Sequence, residues 1–276
     1  MTAKGNSRKS GKEQYYTLPD VVDQCVDIGL KYHQGEKFLE PAGGTGEFIE
    51  GLIRRGADKS QIISYDIEPK HELVKKQDFL ISHLSEPVFT ITNPPFGRAN
   101  SLSVKFFNHA ADTSTYICFL IPISWRKWSV INRLDRRFHL VEDVDMPLVS
   151  FYDSKTGPIQ GGLLKTVFQV WEKRDYDRPK IEVEDRGYIK KVQDPKIADV
   201  AITLFGHSSG RIETDFERKV NSTKCFFTVS GPEVIEALKT VDFTRYNENT
   251  AYIKALSLPE INSLLNEYFD SKIIRN

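Results

Sequence analysis

Apolar residues along the first two thirds of the chain occur in short continuous runs separated by segments of helical spacing. The runs have the length of buried strands, and the segment after the first of them repeats apolar residues at i, i+1, i+4 and i+5 from Phe48 onward. Strands that alternate with helices predict an open α/β sheet covered by helices. The expected strands are 37–40, 61–65, 88–92, 116–122 and 163–171.

The pattern changes near residue 175. A polar, proline-containing stretch at 174–180 predicts a linker, and apolar runs at 201–205 and 225–229 predict two further strands. Ser230-Gly-Pro-Glu233 and Ser257-Leu-Pro-Glu260 are capping boxes that predict two helix starts. The expected core positions of those helices are Val234, Leu238, Ile261, Leu264 and Leu265. We therefore predict a flexible N-terminal tail (1–14), an α/β domain (15–175) and a small α+β region (176–276).

A glycine turn, Gly43-Gly44-Thr45-Gly46, joins the strand at 37–40 to the helical segment that follows it. Glycine lets backbone pass close to a ligand, and the N–H groups at a helix start can bind polar ligand atoms. Asp66 follows about twenty residues later, at the end of the second strand, where doubly wound folds hold ribose hydroxyls. The turn has neither the Lys-Ser/Thr ending of a P-loop nor G-x-G-x-x-G spacing, so a different nucleotide-like ligand is indicated.

Asn93-Pro94-Pro95-Phe96 follows the strand at 88–92, at the edge of the sheet where such folds place ligands. Two prolines fix the backbone, so the Asn93 side-chain oxygen and the Pro94 carbonyl can be aimed at one spot as acceptors. An exocyclic amine of a base presents two matching donors, and Phe96 offers a ring for stacking. The alternative interpretation is a strand-ending turn without a ligand.

Upstream of the glycine turn, Tyr15-Tyr16-Thr17-Leu-Pro19-Asp20 has the composition of a helix start. Thr17 is the expected N-cap, with Asp20 in the third position. The inner face of that helix is expected to carry Val22, Cys25, Val26 and Gly29.

These motifs, in this order, resemble the class I S-adenosylmethionine-dependent methyltransferases of the N6-adenine type over residues 15–175. The resemblance implies a Rossmann-like methyltransferase domain with a mixed seven-stranded sheet, followed by a small target-recognition region. It also implies S-adenosyl-L-methionine as cofactor and site-specific methylation of adenine N6 in DNA, with the base flipped out of the duplex. Whether such an enzyme works beside a restriction partner is left open.

The resemblance assigns a role to each motif. Tyr16 and Thr17 would cover the methionine end of the cofactor, Asp66 would hold its ribose, and a stacking aromatic would be Phe151 or Tyr152. For these two aromatics, packing at a strand end is the alternative. The implied cofactor site is Tyr16, Thr17, Glu40, Pro41, Ala42, Gly43, Gly44, Gly46, Phe48, Asp66, Ile67, Asp78, Phe79 and Asn93, and the catalytic motif is Asn93, Pro94, Pro95 and Phe96.

The charge of the chain bears on nucleic-acid binding. Lys and Arg (38) balance Asp and Glu (38), so the basic residues that neutralise phosphates must be concentrated locally. Trp125, Arg126 and Lys127 follow a strand on the ligand side and are candidates to line a groove; a solvated helix with two buried tryptophans is the alternative. His207 and Arg211, in a glycine-flanked loop, could approach bases or phosphates, or form an ordinary turn.

Cysteine usage and hydropathy limit the other possibilities. The three cysteines lack C-x-x-C spacing, so no metal site and a reducing compartment are expected. No apolar run suits a membrane span, and residues 1–10 have no signal-peptide core, which favours an intracellular, cytoplasmic protein. Three rival functions stay open: N6 methylation of adenosine in structured RNA, methylation of protein glutamine, and a catalytically inactive nucleic-acid-binding partner subunit.

Overall fold

The computed structural model describes residues 16–148, 150–153, 157–158 and 164–274. The chain divides into two compact units, with the boundary between Lys180 and Ile181. The linker expected at 174–180 ends at this boundary, whereas the tail expected at 1–14 lies outside the described residues. Each unit has a sheet and helices of its own.

The first unit contains the predicted α/β alternation. Its elements are β1 (Tyr16–Thr17), α1 (Pro19–Leu30), β2 (Lys37–Glu40), α2 (Glu47–Arg54), β3 (Ile62–Asp66), β4 (Lys75–Lys76), β5 (Val88–Thr92), α3 (Ser101–Ala110), β6 (Ser114–Pro122), α4 (Trp128–Ile131), β7 (Phe138–Asp145), β8 (Phe151–Asp153), β9 (Gly157–Pro158) and β10 (Thr166–Lys173). The bounds of β2 and β5 agree with the predicted runs at 37–40 and 88–92.

Seven of these strands form one sheet in the order β4-β3-β2-β5-β6-β10-β7. β4, β3, β2, β5 and β6 are parallel, and β10 runs antiparallel between β6 and β7. This mixed seven-stranded sheet confirms the predicted Rossmann-like α/β fold. Leu39 of β2 lies beside Ile63 of β3 and Thr90 of β5, so the carboxyl ends of these three strands meet at one edge.

A second, three-stranded sheet has the order β1-β8-β9. Thr17 lies in β1 opposite Phe151, so the prediction that Thr17 caps α1 is wrong. The helix begins at Pro19 after Leu18, and no side chain caps it. The extended strand turns the Thr17 hydroxyl toward Asn93 instead. The predicted inner face is confirmed, because Val22, Cys25, Val26 and Gly29 are all buried.

Aromatic side chains fill the core beneath β6 and β10. The ring of Phe107 on α3 lies 5.8 Å from that of Phe119, 5.8 Å from that of Trp125, 5.5 Å from that of Phe138 and 5.6 Å from that of Trp171. The four partner rings come from four different segments, and three of them meet Phe107 edge to face, a geometry that is favourable beyond the area it buries. This cluster therefore fixes α3 against the sheet just after the Asn93-Pro94-Pro95-Phe96 turn.

The second unit is a four-stranded antiparallel sheet with helices, as an α+β region requires. Its elements are β11 (Ile189–Val192), β12 (Val200–Thr203), β13 (Ile212–Glu213), β14 (Lys224–Val229), α5 (Pro232–Thr240), α6 (Thr244–Asn247) and α7 (Leu258–Ile274), with strand order β11-β14-β12-β13. The predicted core positions Val234, Leu238, Ile261, Leu264 and Leu265 are buried.

The two predicted capping boxes differ in outcome. The backbone N–H of Ser257 donates to Glu260 Oε2 (2.8 Å), which places a capping contact at the start of α7. At α5, the residue in the N-cap position is Gly231, and no side chain caps the helix. Ser230 was therefore predicted one residue too early, because its backbone N–H is already used by the carbonyl of Tyr188.

Candidate active site

A cavity of about 620 Å³ lies at the carboxyl ends of β2, β3 and β5. Its volume is within the usual range for a small-molecule site. All the residues that the sequence analysis assigned to a cofactor line this cavity, except Gly46. Pro94 and Pro95 line it as well. The glycine turn and the Asn93-Pro94-Pro95 segment, which are distant in the sequence, therefore line the same cavity.

The glycine turn is shaped by its neighbours. A Cβ atom on Gly43 would lie 2.3 Å from Ser64 Oγ and 2.7 Å from a methyl of Val74. Gly46 has a φ of +86° as the residue preceding α2, and a Cβ there would lie 2.4 Å from the ring of His71. Neither position has room for a side chain. The turn therefore keeps its backbone open toward the cavity, with Gly44 and Ala42 in the lining.

Glu40, the last residue of β2, is buried and hydrogen-bonded. Its carboxylate accepts from the backbone N–H of Ala42 (2.9 Å) and from the Thr92 hydroxyl. Burial raises the pKa of Glu40 to about 8, although these two hydrogen bonds oppose the rise. Glu40 therefore links the glycine turn to the strand that precedes Asn93. Its carboxyl group loses its proton near pH 8 in the folded protein.

We expect Glu40→Gln to reduce the loss of stability at alkaline pH. In the folded protein the pKa of Glu40 lies near 8, and its ordinary value is 4.5. Below pH 4.5 the group is protonated in both states. Between these values the unfolded chain releases the proton that the folded chain keeps, so unfolding becomes easier as pH rises. The resulting decrease in the free energy of unfolding is on the order of a few kcal/mol.

Urea unfolding at about pH 6 and about pH 8.5 would measure this effect for the wild type, Glu40→Gln and the exposed control Glu86→Gln. The free energy of unfolding should fall more between the two pH values in the wild type and in Glu86→Gln than in Glu40→Gln. Parallel behaviour of all three proteins would contradict the raised pKa.

Asp66 ends β3 and reaches back to the glycine turn. Its Oδ2 accepts from the backbone N–H of Gly44 (2.9 Å), and its Oδ1 accepts from the backbone N–H of Glu68 (2.7 Å). A carboxylate oxygen has more than one acceptor site, so both atoms can still accept from a ligand. Asp66 is only partly buried and lines the cavity, beside the exposed side chain of Ile67.

Asp78 and Phe79 form the next part of the wall. Asp78 Oδ1 accepts from the backbone N–H of Leu80 (2.9 Å) and begins a short 3-10 helix. The Phe79 ring is buried and packs against that of Phe106 of α3 (5.3 Å between centroids). An exposed carboxyl group beside a buried ring is suited to a flat ligand that also carries a polar edge.

Asn93 is positioned by a contact from β1. Its Nδ2 donates to the Thr17 hydroxyl (3.1 Å), and its Oδ1 is buried. Thr17 is 3% exposed, so water does not compete for this bond. Pairing of β1 with β8 holds Thr17 in place. The amide of Asn93 is thus fixed at the carboxyl end of β5, on the wall of the cavity.

Phe96 does not have the exposed ring that stacking of a base would require. It is 6% exposed, and its ring packs against that of Phe151 (6.2 Å between centroids). Neither residue is among the described residues that line the cavity. The expectation of Phe96 as a stacking surface is therefore wrong for this conformation, because β8 covers the ring. The Phe96 carbonyl instead accepts from the backbone N–H groups of Leu102 (3.1 Å) and Ser103 (3.3 Å).

The two candidate aromatics of β8 have different surroundings. Phe151 is buried against Phe96, whereas Tyr152 packs against Tyr16 (5.6 Å between centroids). The Tyr152 hydroxyl donates to Glu47 Oε1 (2.9 Å), and burial raises the pKa of Tyr152. Phe151 packs in the core as the alternative interpretation had it. Tyr152 does not itself line the cavity, but it contacts Tyr16 and Glu47, which do.

Trp125 and Arg126 are not the open groove residues that the sequence analysis considered. Trp125 is fully buried, and its Nε1 donates to Ser103 Oγ (3.2 Å). Arg126 forms ion pairs with Asp143 (2.7 Å) and Asp145 (2.9 Å). A tryptophan without exposed surface cannot contact nucleic acid, so that assignment is wrong. Lys127 precedes α4, and its side chain is partly exposed.

His207 and Arg211 belong to the second unit. His207 is exposed in a turn, and the Arg211 side chain is 66% exposed while pairing with Glu213 at 3.5 Å. The turn is stabilised by its own backbone, since the Gly210 N–H donates to the Thr203 carbonyl (2.8 Å). Both side chains remain accessible, and their role as nucleic-acid contacts stays a prediction.

Several lining residues were not anticipated from the sequence. Three of them, Glu68, Gln77 and Leu80, are next in sequence to residues assigned to the cofactor site. Their position in the sequence could therefore have indicated that they line the cavity. Leu102 and Phe106 are four residues apart on α3, so helical spacing could have placed them on one face. The full set of unanticipated residues is Thr45, Glu47, Glu68, Gln77, Leu80, Gly97, Arg98, Leu102 and Phe106.

The described residues contain neither a cluster suited to a metal ion nor a helix suited to a membrane. No group of three or more His, Cys, Asp or Glu side chains in that part of the chain is arranged to hold a metal ion. Among the same residues, no helix has both the length and the apolar character that a membrane crossing requires.

Comparison with known proteins gives a partial sequence match. The chain is 29% identical over 102 residues to the type II methyltransferase M.HincII of Haemophilus influenzae, and equally to M.HindII of the same species. Each match covers 35% of this chain, and it covers 20% of M.HincII and 19% of M.HindII. The match thus spans about a fifth of the length of these curated relatives. No protein-family model matches the sequence.

Two solved structures are weakly similar in fold to this chain. The M protein of the type I restriction enzyme EcoKI has a TM-score of 0.42 at 14% identity, over 94% of this chain and 70% of that protein. TrmN from Thermus thermophilus has a TM-score of 0.40 at 15% identity, over 56% and 48%. Because these TM-scores lie below 0.5, neither likeness bears on what this chain does.

Proposed function

We propose that the chain is an S-adenosylmethionine-dependent methyltransferase that acts on the N6 amine of adenine in DNA. The observation that supports this most directly is the fixed amide of Asn93. Thr17 holds its nitrogen, its oxygen is buried, and it borders the same cavity as the glycine turn and Asp66. Type II methyltransferases are the relatives found by sequence, which supports methyl transfer as the reaction class.

Residues at the ends of β2 and β3 would hold the cofactor. The glycine turn and Glu40 would face its amino-acid part, Asp66 its ribose hydroxyls, and Asp78 with Phe79 its adenine. When bound, S-adenosylmethionine supplies an electrophilic methyl group on a positively charged sulfur. The cavity suits such a cation, because four of the described lining residues besides the buried Glu40 carry carboxyl groups: Glu47, Asp66, Glu68 and Asp78.

Asn93 and Pro94 would act on the target amine. The lone pair of adenine N6 is delocalised into the ring, so the nitrogen attacks well only when it becomes pyramidal. The Asn93 side-chain oxygen and the Pro94 carbonyl would accept its two hydrogens and favour that geometry, which is preorganised electrostatic stabilisation. Holding the amine in line with the methyl group would supply much of the remaining acceleration. The proton lost from the nitrogen would leave to solvent.

The choice of DNA rests on the resemblance of the motifs to N6-adenine DNA methyltransferases. A base inside a duplex cannot reach the cavity, so it would have to be flipped out of the stack. The second unit, with its exposed His207 and Arg211, would then contact the target strand. Methylation of structured RNA by the same chemistry is the alternative substrate, and the experiment below separates the two.

The test is transfer of labelled methyl from S-adenosylmethionine to duplex DNA, single-stranded DNA and total RNA in parallel, with products identified by mass spectrometry of nucleosides. We expect N6-methyladenine in DNA. Label confined to RNA would replace DNA by RNA in the proposal. No transfer to any of the three, with no cofactor binding by calorimetry, would favour a catalytically inactive partner subunit.

A further inference from the structure

The backbone just after the Asn93-Pro94-Pro95-Phe96 turn has an unusual conformation. Three of the four residues from 97 to 100 have positive φ values: Gly97 (+68°), Ala99 (+51°) and Asn100 (+60°). Left-handed conformation is disfavoured for alanine, and residues held in it tend to cluster at functional sites. A Cβ on Gly97 would lie 2.8 Å from that of Leu102 and 2.9 Å from its backbone nitrogen. The tight turn therefore depends on glycine.

Contacts from two other parts of the chain hold this turn at the two residues that follow Arg98. Arg133 Nη1 donates to the carbonyl of Ala99 (3.0 Å), and Asn100 Nδ2 donates to Ser124 Oγ (3.0 Å). Asn100 is 7% exposed, whereas the side chain of Arg98 is exposed and lines the mouth of the cavity. The backbone is thus fixed where it carries Arg98, while the guanidinium group can reach a ligand.

The charge of Arg98 contrasts with that of its surroundings. Among the described residues that line the cavity, five carry carboxyl groups and Arg98 alone carries a guanidinium or ammonium group. The carboxyl groups suit the positively charged cofactor. A single cation at the mouth, on the turn that follows Asn93, suits an anionic group on the molecule that presents its amine to Asn93.

We propose that Arg98 binds a backbone phosphate of the nucleotide whose base enters the cavity, an assignment that rests on the proposed function. A guanidinium group can bind phosphate through two parallel hydrogen bonds. A chain with balanced charge needs such local cations to bind nucleic acid at all. The carboxylate of the cofactor is the competing anion, but Glu40 and the glycine turn, at the end of β2, would face that part of the cofactor.

The test is equilibrium binding of a fluorescent, adenine-containing single-stranded DNA oligonucleotide, measured by anisotropy with saturating S-adenosylhomocysteine over a range of salt concentrations. We expect Arg98→Gln to raise the Kd about tenfold at low salt and to reduce the slope of log Kd against log salt by about 0.7. Arg98→Lys should keep the slope, because the charge remains. For both Arg98 variants, calorimetry should give a Kd for S-adenosylmethionine within about twofold of the wild-type value.

The matched control is Lys105→Gln, which removes one exposed positive charge from α3 outside the cavity lining. It should leave both the Kd and the slope close to the wild type. An unchanged slope in Arg98→Gln, or an equal loss of cofactor affinity, would overturn the assignment of Arg98 alone. A wild type that binds neither this oligonucleotide nor its RNA counterpart would overturn the proposed function as well.

Discussion

Asn93→Ala is expected to abolish methyl transfer while cofactor affinity stays within a few-fold of the wild type. The Asn93 oxygen would accept from the target amine as the nitrogen becomes pyramidal, so its removal acts mainly on the transition state. Loss of one such preorganised group lowers kcat by roughly 10²- to 10³-fold. Single-turnover methylation of an oligonucleotide, with calorimetry of cofactor binding, would measure the two effects separately.

Thr17 provides a graded comparison for Asn93. Thr17→Val keeps the shape of the side chain but removes the oxygen that accepts from Asn93 Nδ2, so the amide loses its fixed orientation. We expect kcat to fall about fivefold, in line with the roughly 1 kcal/mol of a typical hydrogen bond. Thr17→Ser keeps the hydroxyl and should retain most of the wild-type kcat. Equal loss of cofactor affinity in Asn93→Ala and in Asp66→Ala would contradict the assignment of Asn93 to the target amine.

The parts of the site that could be predicted from the sequence are those set by local patterns. β2, the glycine turn and α2 are continuous in the chain, and the steric contacts of Gly43 and Gly46 make glycine necessary there. Asp66 could be placed because the end of one parallel strand lies beside the end of the next. For the same reason the sequence predicts that Asn93 lies beside the glycine turn.

Other features depend on pairing between distant parts of the chain. β1 has two residues, too few for an alternating pattern, and its role follows only from its pairing with β8. That pairing brings the Thr17 hydroxyl to Asn93 and covers Phe96 with Phe151. A sequence pattern shows that Phe96 is aromatic, but it does not show which element will pack against its ring.

Charged and aromatic residues beside a strand are similarly ambiguous. Trp125 and Arg126 have the composition of a nucleic-acid groove, yet the tryptophan is in the core and the arginine is paired with two aspartates. Arg98 also follows an aromatic residue, with one glycine between them, yet it lines the cavity. The difference lies in the acids of β7, which approach Arg126 only in the folded protein.

Asp66→Ala is expected to weaken cofactor binding and to affect kcat much less when the cofactor is saturating. The carboxylate would accept from the ribose hydroxyls, and hydrogen bonds to a charged group contribute about 1.5–3 kcal/mol. The Kd for S-adenosylmethionine should therefore rise roughly 10- to 100-fold. Saturating cofactor should then restore most of kcat, because Asp66 does not contact the target amine in this assignment.

Asp66 also supports the glycine turn through the N–H of Gly44, so a looser turn could weaken binding without any ribose contact. A cofactor analogue that lacks the ribose hydroxyls separates the two effects, in the manner of a double-mutant cycle. Wild-type protein should bind the analogue more weakly than S-adenosylmethionine, whereas Asp66→Ala should bind the two nearly equally. If the variant still discriminates between them as strongly as the wild type, Asp66 acts through the turn and the ribose is held elsewhere.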